Sequence, residues 1–483
     1  MTLAIHWFRR DLRLRDNPAL AEAVVRSDGA VLPLFILDDA ILRAPDTAPA
    51  RVALLLDALA DLDKQLRALG SRLVVRRGPS IPTLREIATS SAAATVCWNA
   101  DHTPFSRRRD AAASAMLAEL GVGTRVVQEA MLIGADELRS GAGTPYTIYT
   151  PYARRWRELV AAQSGRFDAI AAPQRLAPLS AAIADLPLPS IAALGVTIDQ
   201  ALPTGGETPG YERLAIFIRS RAADNYTAGR NLLAEPGTSR LSPYLHLGCV
   251  APAAALRLAL DAIDRSPPER AAGLTTWVGE LAWRDFYYQI MVNFPHVLAT
   301  AFKPAYADLA WENDESLFAA WCAGHTGYPI VDAAMRQLAA EAWMHNRGRM
   351  IVASFLTKDL LIDWRWGERF FMRRLVDGDH ASNNGGWQWA AGTGTDAQPY
   401  FRIFNPVSQG EKFDPRGSYI RRYIPELADV PLRYLHAPWT MPPAEAGRIG
   451  FALGRDYPHP LVDHALQRAR ALALYKRGTE PAG

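Results

Sequence analysis

Within the first 130 residues, short apolar runs of strand length alternate with helical patterns, and no other feature narrows the fold so far. "LAIHWF" and "AVLPLFIL" read as buried strands. "RVALLLDALADLDKQLRALG" follows, with Val52, Leu55, Leu56, Leu59, Leu62, Leu66 and Leu69 on one helical stripe that Gly70 ends. "RLVVRRG", "ATVCWNA" and "TRVVQEA" are further strands, the first two followed by a helical run over 106–120. A βαβαβ series predicts a parallel, doubly wound sheet with helices on both faces. The first strand leads into "RRDLRLRDN" without G-x-G-x-x-G, so a nicotinamide-type Rossmann site is not expected.

From about 131 to 205 the chain turns irregular, with Pro173, Pro178, Pro187, Pro189 and Pro203 as breakers, and reads as a linker over the surface. Beyond Tyr211 the pattern is helical to about Tyr475. The expected organisation is an α/β domain over 1–130, a linker over 131–205 and an all-α domain over 206–478. Hydrophobic residues at 49% and charged ones at 21% fit a globular chain. Cys97, Cys249 and Cys322 form no C-x-x-C pair, which argues against a zinc ribbon or disulfide scaffold. No apolar run approaches the ~20 residues that span a bilayer. A soluble, cytoplasmic protein with no membrane partner is therefore expected. The net charge of +3 is compatible with a polyanion partner without arguing for one.

Aromatic placement says more. Nine of the 13 tryptophans fall between Trp277 and Trp389. "GTSRLSPYLHLG" (237–248) reads as a helix start with Ser242 as N-cap and Pro243 at the first helical position. Thr238, Ser239 and Ser242 would offer hydroxyls beside unpaired N–H groups, a suitable phosphate seat, although on this stretch alone an ordinary capped helix is the favoured reading. In "TTWVGELAWRDFYYQIM" (275–291), Trp277, Glu280, Arg284 and Tyr287 share a helical face with Trp283 alongside. A carboxylate flanked by indoles suits a cavity that stacks a planar group; the plain alternative is a structural Glu280–Arg284 pair. In "EAWMHNRGRM" (341–350), Trp343, Asn346, Arg347 and Met350 share a face, and His345 reads as a packed structural histidine. No second histidine stands at metal-ligand spacing, so no metal is expected.

The polar stretch "DGDHASNNGGWQWAAGTGTD" (377–396) carries Trp387 and Trp389 two positions apart. If it is helical, they point about 200° apart and serve different environments, one packed inward and one walling a cavity.

These stretches, with "GYPIVDAAMRQL", "RGRMIVASFLTKDLLIDWRWGERFF", "QGEKFDPRG" and the N-terminal "WFRRDLRLRDNPAL", closely resemble class I cyclobutane pyrimidine dimer DNA photolyases over nearly the whole chain. The resemblance implies an antenna role for the α/β domain and FAD, folded into a U, in the helical domain. It implies that Tyr226, Thr238, Ser239, Arg240, Leu241 and Ser242 bind the dinucleotide and that Trp277, Arg349, Asp377 and Asp379 complete the flavin pocket. Asn383 would face the flavin N5. Glu280, Trp283, Asn346, Met350 and Trp389 would line the hole for the dimer, Arg230, Arg347 and Gln409 would contact DNA, and Trp387, Trp364 and Trp311 would carry electrons inward. The implied partner is UV-damaged DNA, and the chain is expected to act as a monomer. The implied reaction starts with flipping the dimer out of the duplex. Light-excited FADH⁻ then lends it an electron, the ring opens and the electron returns, so the enzyme is a carbon–carbon lyase. Cryptochrome photoreceptors and (6-4) photolyases share the resemblance; the latter typically carry histidines where Asn346 and Met350 stand. For the antenna, Arg51 and Asp101 match deazaflavin-type relatives, but Thr103 and His246 replace their glutamate and lysine. Methenyltetrahydrofolate is therefore expected ahead of 8-hydroxy-deazaflavin.

Overall fold

A computed structural model describes residues 2–181, 183–397 and 399–479. All five expected strands form: β1 (Ala4–Phe8), β2 (Val31–Leu37), β3 (Val74–Arg77), β4 (Thr95–Asn99) and β5 (Gly123–Val127). They pair in parallel in the order β3-β2-β1-β4-β5. Alternation along β1 shows why both faces are covered. Ala4 and Phe8 pack in one apolar cluster with α1 (Pro18–Ser27) and α2 (Pro49–Ala68). Ile5 and Trp7 pack in another with α3 (Ser80–Ser90) and α4 (Pro104–Glu119). The chain winds β1-β2-β3 to one side and returns to place β4 on the other flank of β1. The crevice between the C-terminal ends of β1 and β4 is therefore the topological switch point.

The segment 131–205 is less irregular than expected. It contains α5 (Tyr149–Ala162), which buries Tyr152, Trp156 and Val160 at i, i+4 and i+8. Beyond Phe167, only a short 3₁₀ turn at Ala192–Leu194 is regular before residue 206 among the described residues.

From Glu207 onward the chain is helical. Five of its helices surround one cavity: α6 (Ser242–Leu247), α7 (Pro268–Asn293), α8 (Asn346–Ser354), α9 (Trp364–Arg374) and α10 (His380–Ala391). The glycine-rich stretch with the tryptophan pair is α10, which lies against α7, α8 and α9. Two glycines make that approach feasible: a Cβ on Gly385 would lie 2.0 Å from the Tyr287 ring, and one on Gly367 would lie 2.0 Å from the Trp387 ring. Among the described residues, no helix is long and apolar enough to cross a membrane.

Candidate flavin and nucleic-acid site

The cavity where α6 to α10 converge encloses about 510 Å³, within the range of small-molecule and cofactor sites. Its walls collect Tyr226, Arg230, Thr238–Ser242, Trp277, Glu280, Trp283, Asn346, Arg347, Arg349, Met350, Asp377, Asp379, Asn383, Trp387 and Trp389. Segments more than 160 residues apart in sequence thus share one hollow.

On α7 steps of three to four residues, about one turn each, aim Trp277, Glu280, Trp283 and Tyr287 into the cavity. The Trp277 indole N–H donates to Ser239 Oγ at 3.2 Å. Trp283 stacks flat on Tyr149 of α5, centroids 3.5 Å apart at 7°, so the segment read as a linker braces the wall. The structural Glu280–Arg284 pair is not what forms. Arg284 donates to the Ala130 carbonyl and covers the Tyr288 ring, whereas Glu280 accepts from Arg230 and from the Tyr226 hydroxyl at 3.5 Å. Burial raises the Glu280 carboxyl above its ordinary range, and the Arg230 guanidinium opposes that rise.

At α6, Ser242 is the first helical residue and Leu241 the cap, one position earlier than expected. Pro243 therefore sits second, where its missing N–H still costs nothing. The Ser242 hydroxyl accepts from the Trp343 indole N–H at 3.4 Å instead of capping. Arg240, beside it, holds φ +49°, a left-handed conformation that costs a non-glycine residue of order 1 kcal/mol or more. It is pinned by Glu341 at 2.9 Å and by the Trp343 ring.

His345 caps α8 by accepting from the Arg347 N–H at 3.1 Å, a structural role as expected. Burial, with Arg347, Arg240 and Arg349 nearby, pushes its pKa down to about 4, so it stays neutral. Arg347 donates to Asn231 at 2.6 Å, and Arg349 forks onto both oxygens of Asp377 at 2.8 and 3.1 Å. Asp379 caps α10 by accepting from Ser382 N–H at 3.0 Å. The Asn383 amide nitrogen donates to the Glu368 carbonyl at 3.1 Å, which leaves its oxygen as an acceptor for the cavity.

The two tryptophans of α10 both reach the cavity wall but differ in burial. Trp387 is buried against Phe371 at 5.0 Å and Trp321 at 6.1 Å, and Trp389 stands half-buried in the cavity wall. Trp364 is fully buried in the same apolar cluster as Trp387, and Trp311 packs on that cluster with its edge against Tyr475 at 5.9 Å. The buried indole N–H groups of Trp364 and Trp311 find no partner among the described residues. Gln409 lies outside the cavity wall, on the helix Pro406–Phe413.

Arg51 and Asp101 face no comparable space. Arg51 is buried and donates to the carbonyls of Leu375, Gly378 and Asp46. Asp101 accepts from Ser106 Oγ at 3.1 Å and lies 3.7 Å from Arg10. The crevice beside Asp101 encloses about 20 Å³, room for a water or two and not for a planar pigment. Two contributors carry no signal in the sequence: Tyr149, whose stack on Trp283 spans 134 positions, and Arg10, whose partner Asp379 lies 369 positions away.

The donor set suits a flavin dinucleotide. Hydroxyls and N–H groups lead into α6, a carboxylate–arginine pair and an amide oxygen stand at the far wall, and Gly386 lines the cavity with open space where a side chain would stand. Comparison with known proteins agrees. The family "FAD binding domain of DNA photolyase" matches residues 277–477, and "DNA photolyase" matches residues 4–174. The deoxyribodipyrimidine photo-lyase of Synechococcus sp. is 43% identical, over 98% of this chain and 96% of its own. That of Halobacterium salinarum is 40% identical, over 98% and 99%. Among solved structures, a class III photolyase from Agrobacterium tumefaciens superposes with TM-score 0.90 at 37% identity, covering 99% and 98%. A Synechocystis cryptochrome gives 0.87 at 29%, covering 98% and 99%. An archaeal photolyase from Sulfolobus tokodaii, described with two FAD molecules, gives 0.80 at 31%, covering 99% and 100%. The fold, the cavity and these full-length matches together establish that the chain belongs to the DNA photolyase family of FAD-binding lyases.

Proposed function

We propose that this protein repairs cyclobutane pyrimidine dimers in UV-damaged DNA by light-driven electron transfer. The observation that carries the reading is the composition of the cavity wall around Glu280. A carboxyl whose pKa burial has raised stands with Trp283, Asn346, Met350 and Trp389 along one cavity, with Arg230 and Arg347 beside it. Tyr226, Thr238–Ser242, Trp277, Arg349, Asp377, Asp379 and Asn383 would hold FAD, which in its reduced form would supply light-driven one-electron chemistry. Trp283, held by Tyr149, would stack on the flipped-out bases, and Asn346 would bond a base edge. Glu280 would hydrogen-bond a dimer carbonyl and stabilise the charge that develops there, a preorganised electrostatic role. Arg230 would trade Glu280 for a DNA phosphate as the lesion enters, which frees the carboxyl for the dimer. Arg347 and Gln409 would complete the DNA contacts. Trp387, Trp364 and Trp311 would return an electron to an oxidised flavin between turnovers.

The motifs favour class I. The class III photolyase match supports the competing subclass. We propose methenyltetrahydrofolate ahead of a deazaflavin as second chromophore, because Thr103 and His246 replace the glutamate and lysine of deazaflavin-type relatives, Arg51 is spent on backbone carbonyls and the crevice beside Asp101 is small. Action as a cytoplasmic monomer completes the reading.

The test is repair of a dimer-containing oligonucleotide by flavin-reduced protein, in light and in darkness. Light-dependent loss of the dimer is expected. Tight flavin binding without repair would replace this reading with that of a photoreceptor, which the cryptochrome match favours. Repair of (6-4) products alone would overturn the substrate.

A further inference from the structure

The N-terminus of α10 is held from the other domain. Arg10 follows β1, yet its Nη2 donates to Asp379 Oδ2 at 2.8 Å and to the Tyr288 hydroxyl at 3.0 Å. Its Nε donates to the His246 carbonyl at 2.9 Å, and its Nη1 lies 3.7 Å from Asp101. One guanidinium therefore joins the sheet, α6, α7 and the cap of α10. The backbone beneath it has no freedom. Gly248 sits at φ +68°, where a Cβ would lie 1.9 Å from the Arg10 carbonyl oxygen, and Leu12 N–H donates to the Leu247 carbonyl at 3.3 Å.

Asp379 has about four acceptor positions. Oδ1 takes the Ser382 N–H, and Oδ2 takes Arg10 and, at 2.7 Å, the Tyr288 hydroxyl. What remains on Oδ1 is available to a ligand in the cavity that Asp379 lines. Burial favours the neutral carboxyl, but Arg10 above all, with Arg284 and the Ser382 N–H, holds it well below the usual carboxylate range. His246 itself is kept neutral by burial and by Arg10 and Arg51, so Arg10 is the main positive charge on Asp379.

We propose that Arg10 is a positioning residue of the flavin site: it fixes the Asp379 carboxylate in place and balances its charge, so the α/β domain is part of the flavin site whatever its antenna role. This rests on the FAD reading. The test uses full-length wild type, Arg10→Gln, Arg10→Lys, Asp379→Asn and the Arg10→Gln/Asp379→Asn double variant. FAD affinity and the midpoint potential of bound flavin are measured, with thermal unfolding as the check on folding. Arg10→Gln should weaken FAD binding about tenfold. It should also lower the potential by about 59 mV, a tenfold change for a one-electron couple, because an unbalanced carboxylate opposes added electrons. Asp379→Asn should shift the potential the opposite way, Arg10→Lys should recover most of the wild-type value, and Arg10→Gln should add little in the Asp379→Asn background. Wild-type affinity and potential in Arg10→Gln would overturn the proposal, as would an undiminished shift in the double variant. If Arg10→Gln does not fold, a shift of about 59 mV or more between Asp379→Asn and the double variant overturns it. Wild-type protein that takes up no FAD would sink the flavin reading before any variant is made.

Discussion

Two hollows among the described residues are built from similar side chains and differ in how those side chains are spent. The crevice between β1 and β4 has Arg9, Arg10, Asp11, Asp101 and Glu129 in its wall, and the cavity among the helices has Arg230, Glu280, Arg349, Asp377 and Asp379. In the crevice, charges close on partners within the protein: Arg9 on Asp110, Arg13 on Glu129, Asp11 on His6. About 20 Å³ is left. In the cavity the pairs leave acceptors and aromatic faces turned toward about 510 Å³ of open space. Polar composition therefore does not mark a ligand site; unspent valence around a void does. The crevice should then govern stability, Arg10 apart, and the cavity photochemistry.

The largest expected effect tests the photochemical side. Trp311→Phe keeps an aromatic filler, so stability should fall by less than about 1.5 kcal/mol. Light-driven reduction of oxidised FAD by an external reductant should nearly stop, while repair by chemically reduced enzyme persists. Flavin absorbance and a dimer-repair assay read the two arms; wild-type photoreduction would remove Trp311 from the wire. Gly248→Ala is the converse on the crevice side. The left-handed φ and the overlap with Arg10 should cost about 3–5 kcal/mol in denaturant unfolding. A loss below about 1 kcal/mol would show that the two domains are docked less rigidly than the close approach implies.

Glu368 sharpens the contrast, because it stands in the wall behind Asn383 and accepts from the Asn384 amide at 2.9 Å. Burial pushes its pKa up to about 7 from 4.5. The folded chain thus holds a proton that the unfolded chain releases, so this group's contribution is intact below about pH 4.5 and is lost as pH rises to about 7. Glu368→Gln should remove that slope and raise stability at pH 8 by about 2 kcal/mol after allowance for partial exposure. Unfolding measured at pH 5 and pH 8 decides it, and equal slopes in both proteins would place the titration elsewhere. The smallest effect belongs to Glu280→Gln. FAD should stay bound and the fold intact, while repair falls about fivefold, since an amide N–H is a weaker donor to the charged carbonyl than a carboxyl O–H by about 1 kcal/mol. Loss of flavin instead would make Glu280 a scaffold residue.

Legibility in the sequence followed the range of the contacts. All five strands and the stripe of α2 are readable because period and spacing are local. Of that stripe, Val52, Leu59, Leu62 and Leu66 are buried and Leu55, Leu56 and Leu69 half-buried. The short helix α1 carries no long periodic run, and α5 is masked by the prolines that follow it. Most cavity residues are legible because they lie in long unbroken motifs. The pairs that give those residues their state are not: Arg230 meets Glu280 across 50 positions, Tyr149 meets Trp283 across 134 and Arg10 meets Asp379 across 369. No spacing rule reaches such distances. The same holds for the cap at Leu241, where a hydroxyl that suits capping in isolation is claimed by an indole from another segment.

One helix, α10, begins at the Asp379 cap and carries Asn383, Trp387 and Trp389 within about three turns. It therefore works as a common rail: a small axial slide or roll would move Asn383, Trp387 and Trp389, the proposed flavin acceptor, electron donor and lesion wall, together. Tuning any one of them by repacking α10 detunes the others, so substitutions along it should combine non-additively, and improvements will have to arrive in compensating sets.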